Sequence, residues 1–550
     1  MEAASAARIG TDPQSRDLFG HFIDWPRTAL PSGETSIGQL VRQAALTWPT
    51  VEALVGRHAR YTFATLDRAV DGIAALLVSK GVSAGVRVAA SAGNHPDLVI
   101  AFFATMRLGA IWVGVSRALA APEKAYMLND CDASVYLVDR ATHDAVNGLI
   151  DCPLLLIDAE APADEWREAL RSGNAPHEIE VDSWAAAAIA YTSGTTGRPK
   201  GAVHSQRNIF VLPAAMRALA IGGQWQAGLS RGVALPLTIL NLMTLGPVTA
   251  AMYGATCVCI DRVDAVGIAE WVDAEQVGTI ALAPTQIHDL LTKPDMAGFH
   301  LASLRAPTAG GGVVSRDLRK RYRARFGAEL GTGYGLTEAM AGVAEAHGDF
   351  PENSCGQAYP HIEIGIFGAN LSPLPPGSDG EVRIRAATEG AWRGVYTPML
   401  GYWRRPAETA ECLQDGWLST GDIGCLDEEG NLTLKDRRNN VIIRGGANVY
   451  PAEIERVVGL DEAVASIAVV GVRDDRLGER VAAVLQLHDL DEPEAVVARL
   501  LALCSAELAR YKIPDSWFLI EAMPRNAMGK IIRSDLLSRL PGLTSIDVTI

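Results

Sequence analysis

The chain has 550 residues, 48% of them apolar, with 49 basic against 64 acidic side chains and a net charge of −15. That length predicts roughly three or four folding units around substantial cores. The acidic balance disfavours nucleic acid and acidic membrane surfaces as partners, so an anionic ligand must be held by particular lysines and arginines.

Residues Met1–Asp17 include an early glutamate and no apolar core, unlike a secretory signal. No apolar run approaches the roughly 20 residues needed to span a bilayer. The 8 cysteines show neither metal-ligand spacing nor a disulfide framework, which fits a reduced, cytoplasmic compartment. Leu66, Ala69, Val70, Ile73 and Leu77 recur at helical spacing, with Gly81 as a stop. Val86, Val88 and Ala90 alternate as in a strand, and Pro96 opens a helical pattern through Leu98, Phe102 and Met106. This rhythm predicts an α/β fold of parallel sheets flanked by helices.

Ala185–Tyr191 is an apolar run of strand length. The stretch from Tyr191 to Gly201 then holds Thr192, Ser193, Thr195 and Thr196, three glycines (Gly194, Gly197 and Gly201) and Lys200. Glycines let backbone approach an anion, hydroxyls and N–H groups bond its oxygens, and the lysine adds charge. Ser205 then caps a helix carrying Ile209, Phe210 and Leu212. Strand, glycine-rich loop and helix is a setting for phosphate binding. The spacing is not the Walker pattern, and the same residue types also make ordinary surface loops.

Cys257 and Cys259 share one face of a strand. Tyr334-Gly335-Leu336-Thr337-Glu338 offers a ring for a base, a hydroxyl for a phosphate and a carboxylate for Mg²⁺, or simply a turn with Thr337 capping a helix. Pro373, Pro375, Pro376 and Gly377 mark a tight turn before the short strand Glu381–Ile384 and a small β-rich subdomain. In Ser419-Thr420-Gly421-Asp422 a carboxylate after a glycine turn suits ribose hydroxyls, although Gly-Asp is also an ordinary turn. After Arg437–Asn440 a compact α+β tail of about 110 residues follows. Pro451 opens its first helix. Strands at Val464–Val472 and Val481–Leu487, a helix over residues 494–510 and a strand near Trp517–Ile520 come next. Met528-Gly529-Lys530 lies near the end, where a lone lysine is ordinarily solvated.

These clusters, in this order, resemble the adenylate-forming superfamily of acyl-CoA synthetases, peptide-synthetase adenylation domains and luciferases. The resemblance runs from Tyr61-Thr62-Phe63 to Lys530 and includes Gly401-Tyr402-Trp403, Asp415–Leu418 and Arg444–Glu455. It implies a large N-terminal domain, residues 1–437, and a small mobile C-terminal lid, residues 438–550. It also implies an ATP-dependent acid–CoA ligase, in which a carboxylate attacks ATP to give an acyl-adenylate and pyrophosphate, and a thiol then expels AMP.

By the same resemblance Thr192, Ser193, Gly194, Thr195, Thr196, Gly197 and Lys200 hold the β- and γ-phosphates. Thr196 and Glu338 hold Mg²⁺, and Thr337 bonds the α-phosphate. Tyr334 and Gly335 lie against adenine, with Gly310, Gly311 and Gly312 closing over it. Asp422 and Arg437 grip the ribose. Lys530 reaches the α-phosphate and carboxylate oxygens and, with Thr337 and Glu338, makes up the catalytic set. Arg444, Gly445 and Gly446 face the pantetheine channel of coenzyme A.

Two departures stand out. Asn439-Asn440 occupies the hinge where relatives carry a charged pair. Thr238-Ile239 stands where many acyl-CoA synthetases have an aromatic residue and histidine. No aspartate lies between Arg231 and Gly246 to meet a substrate ammonium, which disfavours a free amino acid. The run from Leu235 to Leu245 instead suggests an apolar aliphatic, alicyclic or aromatic acid, with Ile239, Leu240 and Asn241 as contacts. With no appended carrier domain, the thiol is expected to arrive as CoA or on a separate acyl carrier protein. A nucleotide-binding regulator that has lost the reaction is the alternative from another class.

Overall fold

The computed structural model describes residues 8–9, 23–31, 36–160, 163–176, 181–192, 199–218, 227–293, 296, 298–305, 308–309, 314, 316–327, 329–346, 351, 354–444, 447–474, 476–489, 492–525 and 531–546. The chain divides into two compact units. Met1–Gly365, Arg383–Thr420 and Asp427–Leu432 form the first, and Ile366–Val382, Gly421–Leu426 and Thr433–Ile550 the second.

Two sheets carry the first unit. One has seven strands in the order Gly401–Tyr402, Lys200–Ser205, Ala186–Thr192, Ile111–Gly114, Arg87–Ser91, Val135–Val138, Leu154–Leu156. Its pairings are parallel from Ala186–Thr192 onward and antiparallel at the Lys200–Ser205 edge. The other has nine strands, with a parallel centre running from Gly331–Leu336 to Glu52–Val55 and antiparallel rims. Parallel neighbours need crossover helices, which cover both faces of such sheets. Cys257 and Cys259 accordingly pack in one apolar cluster while Val258, between them, packs in another.

The helices follow their sequence signals. In Phe63–Ser79 the residues Leu66, Ala69, Val70, Ile73 and Leu77 are buried, and Thr62 and Thr65 cap the start reciprocally. Pro96 occupies the first turn of Pro96–Arg107, whose twelve residues are all buried. There Phe102 meets Phe103 and Trp112 edge-on at 5.5 and 5.6 Å between ring centres, and truncating Phe102 to alanine costs about 3–5 kcal/mol. The buried Arg107 is matched by Asp67 and Asp71 at 2.6 Å each, which offsets the desolvation of its charge.

The second unit holds a six-stranded sheet. Gly478–Leu487 lies at its centre, between Val464–Asp474, Ile442–Arg444 and Ser516–Leu519. Side chains alternate along the central strand. Val481, Ala483 and Leu485 pack with residues of the helices Pro451–Val458 and Pro493–Glu507, while Ala482 and Val484 pack with Leu536 of Arg533–Arg539. This period of two is what a strand covered on both faces requires.

Candidate active site

The hydroxyl- and glycine-rich segment leaves the sheet at Thr192 and re-enters it at Lys200, the two facing each other across an antiparallel ladder. Thr192 Oγ1 donates to the Lys200 carbonyl at 3.4 Å. The expected strand–loop–helix is therefore corrected to strand–loop–strand, and the helix Gln206–Ala218 begins only after Ser205. Lys-Gly-Ala-Val-His-Ser alternates too weakly to signal a strand, so pairing on both sides supplies what local sequence lacks. Ser205 does cap the helix. Asn208 N donates to Ser205 Oγ at 3.0 Å, and Ser205 N donates to Asn208 Oδ1 at 2.9 Å. Ser193, Gly194, Thr195, Thr196, Gly197, Gly310, Gly311, Gly312, Gly445, Gly446 and Lys530 lie outside the described residues.

Tyr334 and Gly335 belong to the strand Gly331–Leu336, and Thr337–Ala339 is one 3-10 turn rather than the start of a helix. Tyr334 is buried while Gly333 and Gly335 are exposed, so the open face of this strand is bare backbone that a planar ring can approach closely. Three successive carbonyls of the turn are held from three directions. His204 Nε2 donates to Thr337 at 2.8 Å, Met399 N to Glu338 at 2.9 Å, and the Tyr396 hydroxyl to Ala339 at 3.2 Å. Burial lowers the His204 pKa to about 4, so the ring is neutral near pH 7 and its Nε2 carries the hydrogen.

The strap behind the turn is equally constrained. Asn208 Nδ2 donates to the carbonyls of Thr397 at 2.8 Å and Pro398 at 3.1 Å, and Trp25 Nε1 donates to that of Met399 at 3.3 Å. The hairpin and helix that follow the glycine-rich loop thus also fix the backbone of Glu338. Glu338 Oε1 accepts from the Tyr402 hydroxyl at 2.8 Å, and the Lys200 ammonium lies 5.5 Å from the centre of the Tyr402 ring. Nearby, burial pushes the Cys412 thiol up to about 12, with the Glu338 charge adding to the effect. It therefore stays protonated and is no nucleophile at neutral pH.

The apolar run from Leu235 to Leu245 splits by environment. Leu237, Leu240 and Met243 are core residues, whereas Ile239, Asn241, Leu242 and Leu245 are half-buried. Asn94 organises the entry to this run. Its Nδ2 reaches the carbonyls of Val233, Leu235 and Ile260 at 3.0 Å, and its Oδ1 accepts from Leu237 N at 2.8 Å. Gly114 lets the segment pack closely, because a Cβ there would stand 1.9 Å from the Thr238 carbonyl oxygen. A π-helical turn, Thr244–Val248, follows with Pro247 inside it. The Thr244 and Thr249 hydroxyls bond the carbonyls of Leu240 at 3.0 Å and Thr244 at 2.7 Å, which supports the irregular ladder.

In the second unit Asp422 lies within the ten-residue strand Trp417–Leu426, not beyond a turn. The preceding Gly421 has φ +71°, a left-handed kink open to glycine without penalty. Arg437 Nε lies 2.6 Å from Asp422 Oδ1, so the structure brings these two residues together. Arg444 donates to the Tyr511 carbonyl at 2.7 Å and pairs with Asp515. Its contacts brace the strand Ile442–Arg444. Asp436 accepts from Arg437 N, Asn440 Nδ2 and Ala452 N at 2.6, 2.9 and 2.9 Å, anchoring the 3-10 turn Arg438–Asn440.

Sequence reasoning gave no role to Asn94, Asn208, Tyr396 or Tyr402. Only Tyr402 had a signal, since it falls in the matching stretch Gly401-Tyr402-Trp403. Among the described residues no group of three or more His, Cys, Asp or Glu is arranged to hold a metal, and no helix is long and apolar enough to cross a membrane.

The AMP-binding enzyme family model matches residues 41–403, and that of the AMP-binding enzyme C-terminal domain matches residues 453–530. Indoleacetate–CoA ligase of Aromatoleum aromaticum is 33% identical over 89% of this chain and 95% of its own length. Long-chain-fatty-acid–CoA ligase FadD13 of Mycobacterium tuberculosis is 31% identical over 91% and 98%. The solved o-succinylbenzoate CoA synthetase of Bacillus subtilis, in complex with its acyl-adenylate intermediate, is 28% identical with a TM-score of 0.79, covering 90% of this chain and 97% of that one. Matches of this extent, on a fold that brings Lys200 and Glu338 to one tyrosine, make the chain a member of the AMP-binding enzyme family within the adenylate-forming superfamily.

Proposed function

We infer that the protein is an ATP-dependent carboxylic acid–CoA ligase. A carboxylate oxygen attacks the α-phosphorus of ATP, the bond to pyrophosphate breaks, and an acyl-adenylate forms. The sulfur of CoA then attacks the acyl carbon, and AMP leaves with the electron pair of the broken C–O bond. The first step sets an anion against an anion, so the work of the chain is placing positive charge and hydrogen-bond donors. The observation that carries this reading is the convergence of Thr192, Lys200, Thr337 and Glu338 through one hairpin and one turn.

Within this reading Thr192 and Lys200, with the loop residues 193–197, hold the β- and γ-phosphates. Thr337 bonds the α-phosphate, adenine lies by Tyr334 and Gly335 under Gly310–Gly312, and Asp422 with Arg437 takes the ribose hydroxyls. The donor set at Glu338 fits a hard cation. Tyr402 engages Oε1, and Oε2 has no protein donor among the described residues. Glu338, with Thr196, would hold Mg²⁺ there, which supplies charge neutralisation of the triphosphate. Residues 438–550 act as a lid that brings Lys530 to the reacting oxygens and later offers the 444–446 loop to CoA.

The acid is apolar, with Ile239, Leu240 and Asn241 among its contacts. This is supported by the absence of an aspartate between Arg231 and Gly246 and by the half-buried apolar side chains there. The acids named for relatives, indoleacetate for the Aromatoleum ligase and long-chain fatty acids for FadD13, are of that kind. The test is a panel of acids assayed for CoA-dependent AMP release, with a carrier protein as the alternative acceptor. Apolar acids of moderate size with CoA are expected to lead. A dicarboxylate or amino acid in front contradicts the reading of the acyl segment, and carrier-dependent release without CoA turnover contradicts the acceptor.

A further inference from the structure

We propose that Tyr402 is a positioning residue that sets the Glu338 carboxylate for its cation by tying it to the strand that carries Lys200. This rests on the reading of Glu338 as a magnesium ligand. The backbone of the turn has little left to settle, because the carbonyls of Thr337, Glu338 and Ala339 each have a donor. The freedom that remains is in the Glu338 side chain, and the Tyr402 hydroxyl at 2.8 Å is its hydrogen bond among the described residues.

Tyr402 is itself placed from several sides. It pairs across the ladder with Ala202, and its N–H donates to Thr409 Oγ1 at 2.9 Å. Lys200 stands two residues before Ala202, on the same face of its strand and diagonal to Tyr402, with its ammonium 5.5 Å from the ring centre. The opposite charges of Lys200 and Glu338 therefore share one tyrosine, one over its face and one at its hydroxyl, and form no ion pair with each other.

That arrangement has a chemical consequence. A direct Lys200–Glu338 pair would commit both charges before any ligand arrived. A phenol donates a hydrogen bond without cancelling the carboxylate charge, and it leaves Oε2 without a donor among the described residues. Lys200 meanwhile rests on a ring face, a weak cation–π contact that a phosphate readily outcompetes. Both groups are held in place yet left uncommitted.

The test is calorimetric titration of the full-length protein with ATP over a series of magnesium concentrations and in EDTA. Y402F keeps the ring and the Lys200 contact and loses only the hydroxyl. It is expected to need about fivefold more magnesium for the same gain in ATP affinity, with metal-free ATP binding and melting temperature unchanged. Y402L also removes the ring beneath Lys200 and is expected to weaken metal-free ATP binding as well. A Y402F protein with the parent's magnesium dependence, beside an E338Q protein that has lost it, overturns the proposal and leaves the reading of Glu338 standing. An E338Q protein that keeps the parent's magnesium dependence overturns that reading itself.

Discussion

His204 donates its Nε2 hydrogen to the carbonyl of Thr337 at 2.8 Å, joining the strand after the glycine-rich loop to the turn that carries Glu338. The histidine is fully buried, and the bond crosses 133 residues of sequence. It makes the two halves of the candidate nucleotide site one mechanical unit, although neither half contains a sequence signal for the other.

His204 is therefore expected to matter through its donor and not through its charge. H204Q, whose amide can donate from nearly the same place, should keep kcat within about threefold of the parent, whereas H204F should lower kcat by roughly tenfold through a displaced turn. Steady-state kinetics with saturating ATP and acid read this out. Equal losses in the two variants would show that the ring's shape matters and the bond does not.

Gly114 predicts a different phenotype. G114A puts a methyl group where the Thr238 carbonyl oxygen stands 1.9 Å away, so the segment must move at a cost of about 1–3 kcal/mol. The KM for the acid is expected to rise while that for ATP stays unchanged. A parallel rise in both constants would detach this segment from acid binding.

Asp97 gives a pH dependence of stability with a defined sign. Burial raises its pKa from 3.8 to about 7, against the opposing hydrogen bond from Trp166. Below 3.8 the carboxyl is protonated folded or unfolded. As pH rises from there to about 7 the unfolded chain gives up its proton and the fold does not, so stability falls across that window. Its full range is on the order of 4 kcal/mol. D97N stays neutral and can still accept from Trp166. Its advantage in melting temperature over the parent should grow from pH 5 to pH 8, and an offset that does not vary with pH contradicts this.

Asp422 and Arg437 bear on the sugar. D422N keeps the size of the side chain and removes its charge and one acceptor. The preference for ATP over 2′-deoxy-ATP, measured as a ratio of kcat/KM, should fall by about tenfold. An unchanged ratio would leave the Asp422–Arg437 contact of 2.6 Å as an ion pair of purely structural value.

What was readable in the residues was whatever is written locally. Pro96 and Pro451 mark first turns, Leu66 to Leu77 carry a helical stripe, and Cys257 and Cys259 point to one side of a strand, as the structure has them. The two-unit α/β architecture and the family followed from motifs whose order is as informative as their content. Long-range pairing was not readable. Lys200–Ser205 is a strand because Ala186–Thr192 and Gly401–Tyr402 flank it, and nothing inside those six residues demands it. Asn94, Tyr396 and Tyr402 act on partners from 57 to 166 residues away, so their roles emerge only when the sheets assemble. Gly421-Asp422 misled for the opposite reason, since a glycine kink inside a strand and a glycine turn between strands look alike in sequence.

The most direct measurement of the central claim is exchange of labelled pyrophosphate into ATP by the purified protein with magnesium and a library of acids, run beside Lys530→Ala. The parent is expected to show exchange that depends on an added acid. The Lys530→Ala protein should have lost that exchange while still transferring the acyl group of a supplied acyl-adenylate to CoA. A parent protein that shows no acid-dependent exchange with any member of the library would contradict the account.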